Sequence, residues 1–349
     1  MSQIVQTALQ SVVRGEILSA DVADAFMHEL MNGRVSPVQT AALVSVMATR
    51  GERASEIEGF ARAMRRHSMK IEAPAHAIDT CGTGGDGANT FNISTTVAIV
   101  AAADGVPVAK HGNRAASSRS GSADVLQALG AEIDLEGPQC ETMLAQTNLC
   151  FLFAPVFHPA MKHAAVARRE LGFRTIFNIL GPLTNPAQTK RQVLGVSRRD
   201  LVDTVANALA NLDISHALVV HGDGGLDEFS ISGPSYVSEV RNGSIESYVV
   251  HPEDVGLSRA PVSALIGGTP AENADIIRRV LTGERGPRRD VVLLNAGAAL
   301  YVGGTAASIA EGVDRAAAVI DSGAAVRKLN DFIDESRQFA EQLRKEVTG

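Results

Sequence analysis

Four stretches of the chain concentrate residues able to do chemistry. The first, HAIDTCGTGGDGANTFNIST over 76–95, spaces Gly82, Gly84 and Gly87 as a GxGxxG and follows them with Ser94 and Thr95. Glycines let backbone N–H groups approach an anion, and Ser94-Thr95 is suited to cap a helix whose N-terminus favours negative charge. The second, KHGNRAASS over 110–118, crowds two cations, an amide and two hydroxyls around one glycine after an expected strand, the composition of a polyphosphate cradle. The third, HGDGGLDE over 221–228, sets the adjacent carboxylates Asp227 and Glu228 after another strand and a glycine loop. Alone, such a pair is ordinary surface decoration. Beside a pyrophosphate cradle it offers oxygen ligands to Mg2+, which binds through few carboxylates plus water and substrate phosphate. The fourth, FHPAMKHAAVARRELGFRTIFNILGPLTNP over 157–186, holds His158 and His163 as ligands, bases or packed side chains. Its Arg168 and Arg169 either lie on a polar helix face or clamp a carboxylate through parallel hydrogen bonds. The residues alone leave these choices open.

The GxGxxG suggests a dinucleotide site, and its surroundings argue against one. Such a site needs a hydrophobic strand, the loop, a helix, and an acid about 20 residues on, at the end of the second strand, to bind ribose. Asp104 has the spacing but precedes VPVA at a helix end, and that strand runs instead into Lys110-His111-Gly112. Asp79 and Cys81 make AIDTC a poor apolar strand, and Asp86 inside the loop repels a pyrophosphate unless a cation intervenes. The loop therefore reads as a phosphate wall, with Asp86 pointing to magnesium.

Positioning these loops takes a sizeable scaffold, and 349 residues exceed the usual span of one hydrophobic core, so two structural units are expected. The first 70 residues read as short helices. DVADAFMHELM has helical spacing, Gly33 stops it, Ser36-Pro37 starts the next helix, and Ser55-x-x-Glu58 supplies a capping box for another. This opening unit is read as a packing or dimerisation module without catalytic groups. After Pro74, short β-like runs (VPVAKHG, CFLFAPVF, HALVVHG) alternate with helices such as SADVLQALGAEI, which favours an α/β fold with a parallel sheet. YVSEVRNGSIESYVV alternates around Asn242-Gly243 and adds an antiparallel hairpin at one side. Helical patterns resume over Glu272–Leu281 and from Ala306 onward.

Composition narrows the partners. A net charge of −7 disfavours a polyanion-binding surface, and no Trp with three Tyr argues against nucleic-acid stacking platforms. Neither a signal peptide nor an apolar run of about 18 residues is seen, so a cytoplasmic protein with no membrane partner is expected. Cys81, Cys140 and Cys150 are odd in number and lack zinc-ligand pairing, which suits reduced, packed thiols.

With these stretches in place, the chain closely resembles the anthranilate phosphoribosyltransferase family, enzymes that join anthranilate to 5-phosphoribosyl 1-pyrophosphate in tryptophan biosynthesis. The resemblance rests on GTGGD at 82–86, NIST at 92–95, KHGNRAASS at 110–118, the 158–186 block and HGDGGLDE at 221–228, in that order along nearly the whole chain. It implies a small helical domain over 1–72, joined by a returning segment near 161–188, beside a larger α/β domain over 73–160 and 189–349. That α/β domain would have a central, mostly parallel sheet with helices on both sides. It also implies a homodimer through the helical domains. The related pyrimidine nucleoside phosphorylases carry a lysine loop resembling KxSGRG where this chain has KHGNR, which supports the transferase.

Residue by residue, the resemblance assigns Gly82, Gly85, Asp86, Thr90, Asn92, Ile93, Ser94 and Thr95 to phosphoribosyl pyrophosphate. It assigns Lys110, His111, Gly112, Asn113, Arg114, Ala115, Ala116, Ser117, Ser118 and Ser122 to the same substrate. Ser94, Asp227 and Glu228 become the Mg2+ side of the site, with Asp86 acting through water or a substrate hydroxyl. Gly82, Asn113 and Arg168 contact anthranilate, His111 is a candidate proton relay, and no covalent nucleophile is implied.

Overall fold

The computed structural model describes residues 2–115 and 118–348. Its elements are α1 (Gln3–Val13), α2 (Ala20–Met31), α3 (Pro37–Arg50), α4 (Ala54–His67), β1 (Ile78–Gly82), α5 (Ile93–Ala103), β2 (Val108–Gly112), α6 (Ser122–Leu129), α7 (Gly137–Thr147), β3 (Leu149–Phe153) and α8 (Ala154–Phe157). They continue with α9 (Lys162–Leu171), α10 (Ile176–Leu183), β4 (Arg191–Gly195), α11 (Leu201–Ala210), β5 (His216–Gly222), β6 (Ser235–Arg241), β7 (Ser244–Val250), α12 (Pro270–Leu281), α13 (Pro287–Gly303), α14 (Ile309–Asp321) and α15 (Ala324–Thr348).

Local chemistry explains most helix starts. Ser19 caps α2 by accepting Val22 N–H, and Ser36, Pro37 and Gln39 form the reciprocal cap of α3. The expected Ser55–Glu58 box does not form. The fully buried Glu56 accepts Arg53 N–H at 3.1 Å, Leu18 N–H at 3.0 Å and Arg50 Nη2 at 2.6 Å, so α4 begins earlier, at Ala54. Ser55 donates to Leu18 O instead, and Glu58 faces Arg62 and Asn211. A buried carboxylate serving three donors outweighs a solvent-side cap, and it moves the N-cap two residues back, from Ser55 to Arg53.

The sheet has seven strands in the order β3-β2-β1-β4-β5-β6-β7, parallel from β3 to β5 and closed by the antiparallel β5-β6-β7 ladder. AIDTC, expected to be too polar for a strand, forms β1 between β2 and β4. The reason is that its acid is satisfied. Asp79, fully buried, accepts from Asn185 Nδ2 at 2.7 Å and His111 N at 3.2 Å. Ser94 and Thr95 do not cap α5 but lie in its first turn, with Asn92 at the N-cap. Nor did the sequence suggest α13. Its surface is apolar on nearly all sides, so it shows no amphipathic period, and it packs against α5, α14 and β4.

α5 and α13 cover one face of the sheet and α11 the other. α11 also meets α4, and its buried Val205 and Leu209 join a cluster with Phe26, Phe60, Phe177, Leu180 and the sheet residues Leu194 and Val219. The first four helices, α9 and α10 therefore share one apolar core with that face. Among the described residues, no helix is long and apolar enough to cross a membrane.

At the sheet end away from the glycine loops, Glu239 of β6 accepts from His216 Nε2 at 2.8 Å, Arg241 at 2.8 Å, Tyr248 OH at 2.9 Å and Tyr301 OH at 3.0 Å. Burial opposes its charge, but the hydrogen bonds of His216, Tyr248 and Tyr301 prevail and hold its pKa down to about 2. A depressed carboxyl contributes stability above its unfolded value and loses it as pH falls through the folded one. Glu239→Gln should therefore cost about 1–2 kcal/mol at neutral pH, discounted for partial solvent screening. In urea titrations across pH, the gap to wild type should close as pH falls from 4.5 toward about 2.

Candidate active site

Adjacent β1 and β4 lead in opposite directions, β1 through α5 to β2 and β4 through α11 to β5, so their C-terminal ends open a crevice where the strand order reverses. The strands β1, β2, β4 and β5 end in Gly82, Gly112, Gly195 and Gly222. The segment carrying Asp227 and Glu228 lies directly across three of these ends. A Cβ on Gly82 would sit 2.2 Å from Asp227 Oδ2, one on Gly195 1.6 Å from Asp227 O, and one on Gly222 2.4 Å from Glu228 O. Only glycine permits that approach.

The acids are thereby buried beside the glycine loop. Gly84, in the left-handed region at φ 65°, donates its N–H to Asp227 Oδ2 at 2.6 Å. Burial, then the neighbouring Asp86 charge, raises the Asp227 carboxyl well above the ordinary range; burial, then Asp227, does the same to Glu228. Ser94 N–H and the Lys110 ammonium partly offset this at Glu228. Lys110 is buried, and its Nζ donates to Thr80 O and, at 3.3 Å, to Ser94 Oγ. Crowded, desolvated carboxylates flanked by a hydroxyl form an oxygen-rich donor set short of positive charge, which fits a hard divalent cation. Among the described residues, no group of three or more acidic, His or Cys side chains is poised to hold a metal, so a cation seated here would need water and substrate oxygens to complete its coordination.

The two phosphate-type loops are tied together. Asn92 donates to Ser120 O at 3.1 Å, and its Oδ1 accepts from Ser120 Oγ and Asn273 Nδ2. Thr90 bridges to Ile266, Ile93 is in the core, and the buried Thr95 hydroxyl has no partner among the described residues. In the second loop, Asn113 Oδ1 accepts Arg114 N–H and Asn113 O accepts from Ser122 Oγ at 3.4 Å. Ala115 and the exposed Ser118 remain near this turn, while Ala116 and Ser117 lie outside the described residues. The Arg114 guanidinium is committed elsewhere, to Asp124 at 3.0 Å and over the Phe153 ring.

His111 and His158 lie side by side with ring centroids 5.1 Å apart and their planes tilted by 48°. His111 Nδ1 donates to Gly181 O at 3.1 Å, and a carbonyl only accepts, so this ring carries its proton on Nδ1. The Thr184 backbone favours a ring proton on His158, and the unpartnered Nε2 assigns that proton to Nδ1 as well. Both Nε2 atoms are buried without a partner among the described residues. Burial pushes His111 down to about 3 and His158 to about 4, so both are neutral bases with free lone pairs. Arg168 on α9 lies 5.5 Å over the Phe177 ring of α10 and has no hydrogen-bond or ion-pair partner among the described residues. His163 packs instead against Gly33 in the α2–α3 turn.

Several contributors escaped the sequence reasoning. Arg174 lays its guanidinium on Gly85, donates to Thr83 O at 3.0 Å and faces Asp227 and Asp86; nothing in FRT separates it from its arginine neighbours. Asp124 organises the second loop by accepting from Arg114, Ala115 N and Gly121 N. The Gly121-x-x-Asp124 spacing before an apolar run was a readable capping signal. Gly195 is legible only in pattern, as one more strand ending in glycine.

A "Glycosyl transferase family, helical bundle domain" matches residues 6–68, and a "Glycosyl transferase family, a/b domain" matches residues 74–326. Anthranilate phosphoribosyltransferase of Pelotomaculum thermopropionicum is 52% identical over 95% of this chain and 96% of its own length. That of Thermomicrobium roseum is also 52% identical, over 97% and 99%. The crystal structure of the Thermus thermophilus enzyme superposes with a TM-score of 0.90 at 46% identity, covering 95% of this chain and 99% of that one. The Saccharomyces cerevisiae enzyme, solved with phosphoribosyl pyrophosphate and Mg, superposes at 0.88 with 28% identity, covering 97% and 99%. With the motifs, the fold and the full-length likeness in agreement, this chain belongs to the anthranilate phosphoribosyltransferase family.

Proposed function

We infer that the chain transfers the phosphoribosyl group of 5-phosphoribosyl 1-pyrophosphate to the amine of anthranilate, giving N-(5-phosphoribosyl)anthranilate and pyrophosphate, the second step of tryptophan synthesis from chorismate. The observation that carries this reading is the seating of Asp227 and Glu228 over Gly82 and Gly195, between two loops rich in backbone and cationic donors. Ser94, Asp227 and Glu228 would hold Mg2+, with Asp86 acting through water or a substrate hydroxyl; the bound ion supplies neutralising charge for the departing pyrophosphate. The glycine loop and the 110–118 loop bind the diphosphate and phosphate oxygens and aim C1 of the ribose.

An aromatic amine is neutral at pH 7, so attack with inversion at C1 needs positioning and stabilisation of the leaving group more than a strong base. After attack the N-protonated arylamine is itself acidic, and the weakly basic Nε2 of His111 suffices to take its proton. Asn113 and Gly82 would contact anthranilate, and the unpartnered Arg168 offers its carboxylate a fork-shaped donor. We further propose a division into a helical part, 1–72 with 161–188, and an α/β part, with dimerisation through the former. The buried, unpaired thiols of Cys81, Cys140 and Cys150 suit a reducing cytoplasm.

The direct test is anthranilate fluorescence, which should fall only when phosphoribosyl pyrophosphate and Mg2+ are both supplied; no consumption at saturation overturns the assignment. Release of base from a pyrimidine nucleoside with phosphate would favour a nucleoside phosphorylase instead. Loss of a charged hydrogen bond costs about 1.5–3 kcal/mol, so Arg168→Ala should lower kcat/KM for anthranilate by about one to two powers of ten. Unchanged anthranilate kinetics would remove Arg168 from the site. Asp227→Asn with Glu228→Gln should abolish most of the Mg2+ dependence of the rate, and a titration superimposable on the wild type would exclude both acids as ligands.

A further inference from the structure

Asp79 takes no part in the chemistry above, yet it is a fully buried carboxylate on β1, beside the strand that carries Lys110 and His111. Its two oxygens have separate duties. Oδ1 accepts His111 N–H at 3.2 Å from β2, and Oδ2 accepts Asn185 Nδ2 at 2.7 Å from the segment that follows α10. Asn185, also buried, spends its other amide hydrogen on Ala109 O at 2.8 Å, and its Oδ1 accepts Ala187 N–H at 2.8 Å. That last bond fixes which way the amide points, because a backbone N–H needs the oxygen. Asn185 can therefore present only N–H to Asp79, and Asp79 must accept on both sides.

The segment held in this way is the one that orients both histidines. Residues 181–185 provide Gly181 O to His111 Nδ1 and the Thr184 backbone acceptor to His158, while Gln192 Nε2 grips Pro182 O at 2.6 Å. Each of those carbonyls dictates a tautomer, and each tautomer leaves the opposite Nε2 lone pair free. Were the carbonyls to drift, either ring would be free to carry its proton on Nε2, turning an acceptor for an amine into a donor that repels it.

We propose that Asp79 and Asn185 form a positioning latch that pins residues 181–185 to β1 and β2 and so fixes both His111 and His158 as Nδ1–H tautomers with their Nε2 lone pairs available. The latch itself rests on the geometry alone; its kinetic consequence rests on the transfer reaction proposed above. Asp79 and Asn185 are positioning residues, acting on substrate only through the histidines.

The test uses full-length protein labelled with 15N at the histidine rings, the two resonances being identified by their loss in His111→Gln and His158→Gln. Wild type should show Nδ1–H at both rings at neutral pH. Asp79→Asn sets two amide donors against each other and Asn185→Asp sets two carboxylates against each other. Each should mix the tautomers, with kcat/KM for anthranilate falling about tenfold and the KM for phosphoribosyl pyrophosphate staying within about twofold. Asn185→Ala releases residues 181–185 from Asp79 and Ala109 without setting like groups face to face, and should mix the tautomers as well. Folded variants that keep both histidines as Nδ1–H overturn the proposal. If neither Asp79→Asn nor Asn185→Asp folds, Asn185→Ala decides: mixed tautomers support the latch, and protons kept on Nδ1 of both rings refute it. A wild type showing these tautomers but no anthranilate consumption would sink the reaction assignment and leave the latch standing.

Discussion

The approach of the Asp227–Glu228 segment to the ends of β1, β4 and β5 is the contact on which the site depends. Gly82, Gly195 and Gly222 let backbone and carboxylate come closer than any side chain would permit. Were the acids held further out, they would be ordinary solvated carboxylates with no pressure to take a cation. Pressed into the crevice, they lose hydration and feel Asp86 as well, and their protonation equilibria shift upward. The missing side-chain volume at the strand ends is thus the origin of the electrostatics.

That contact also dictates what surrounds it. Concentrated negative charge at one side of the crevice calls for cations arranged around it, and Lys110 from β2 and Arg174 from beyond α9 answer from different directions. Across the site, the histidine pair is the opposite solution to burial: both rings lose their charge and keep a lone pair. The same low-dielectric environment therefore yields a cation-seeking end and a neutral, proton-accepting end. A transfer whose leaving group is highly anionic and whose nucleophile is a neutral amine needs that contrast.

Much of this was legible in order along the chain. The parallel alternation, the Asn242-Gly243 hairpin and the Ser36 cap follow from local propensity, and the structure has them where the spacing put them. Among the readings that failed, three share a reason. AIDTC looked too polar for a central strand because Asn185, its partner, lies 106 residues away. The Ser55 cap lost to Glu56 because the deciding donor, Leu18 N–H, comes from another helix junction. α13 was overlooked because burial on nearly all sides erases the periodicity by which helices are found. Each time, a long-range contact changed the meaning of a short-range pattern.

By itself the sequence determined the inventory: glycine loops, a cationic cradle, an acid pair and an arginine-rich helix, in an order characteristic of one family. Tertiary structure alone decided their states. It left Arg168 without a hydrogen-bond or ion-pair partner among the described residues while committing Arg114 to Asp124, turned His163 away while pairing His158 with His111, and aimed Nδ1 of His111 at a carbonyl. The physical reason is that residue type fixes which charges and hydrogen bonds are possible. Which of them survive depends on burial and on partners far away in sequence, and those exist only once β1 and β4 lie side by side.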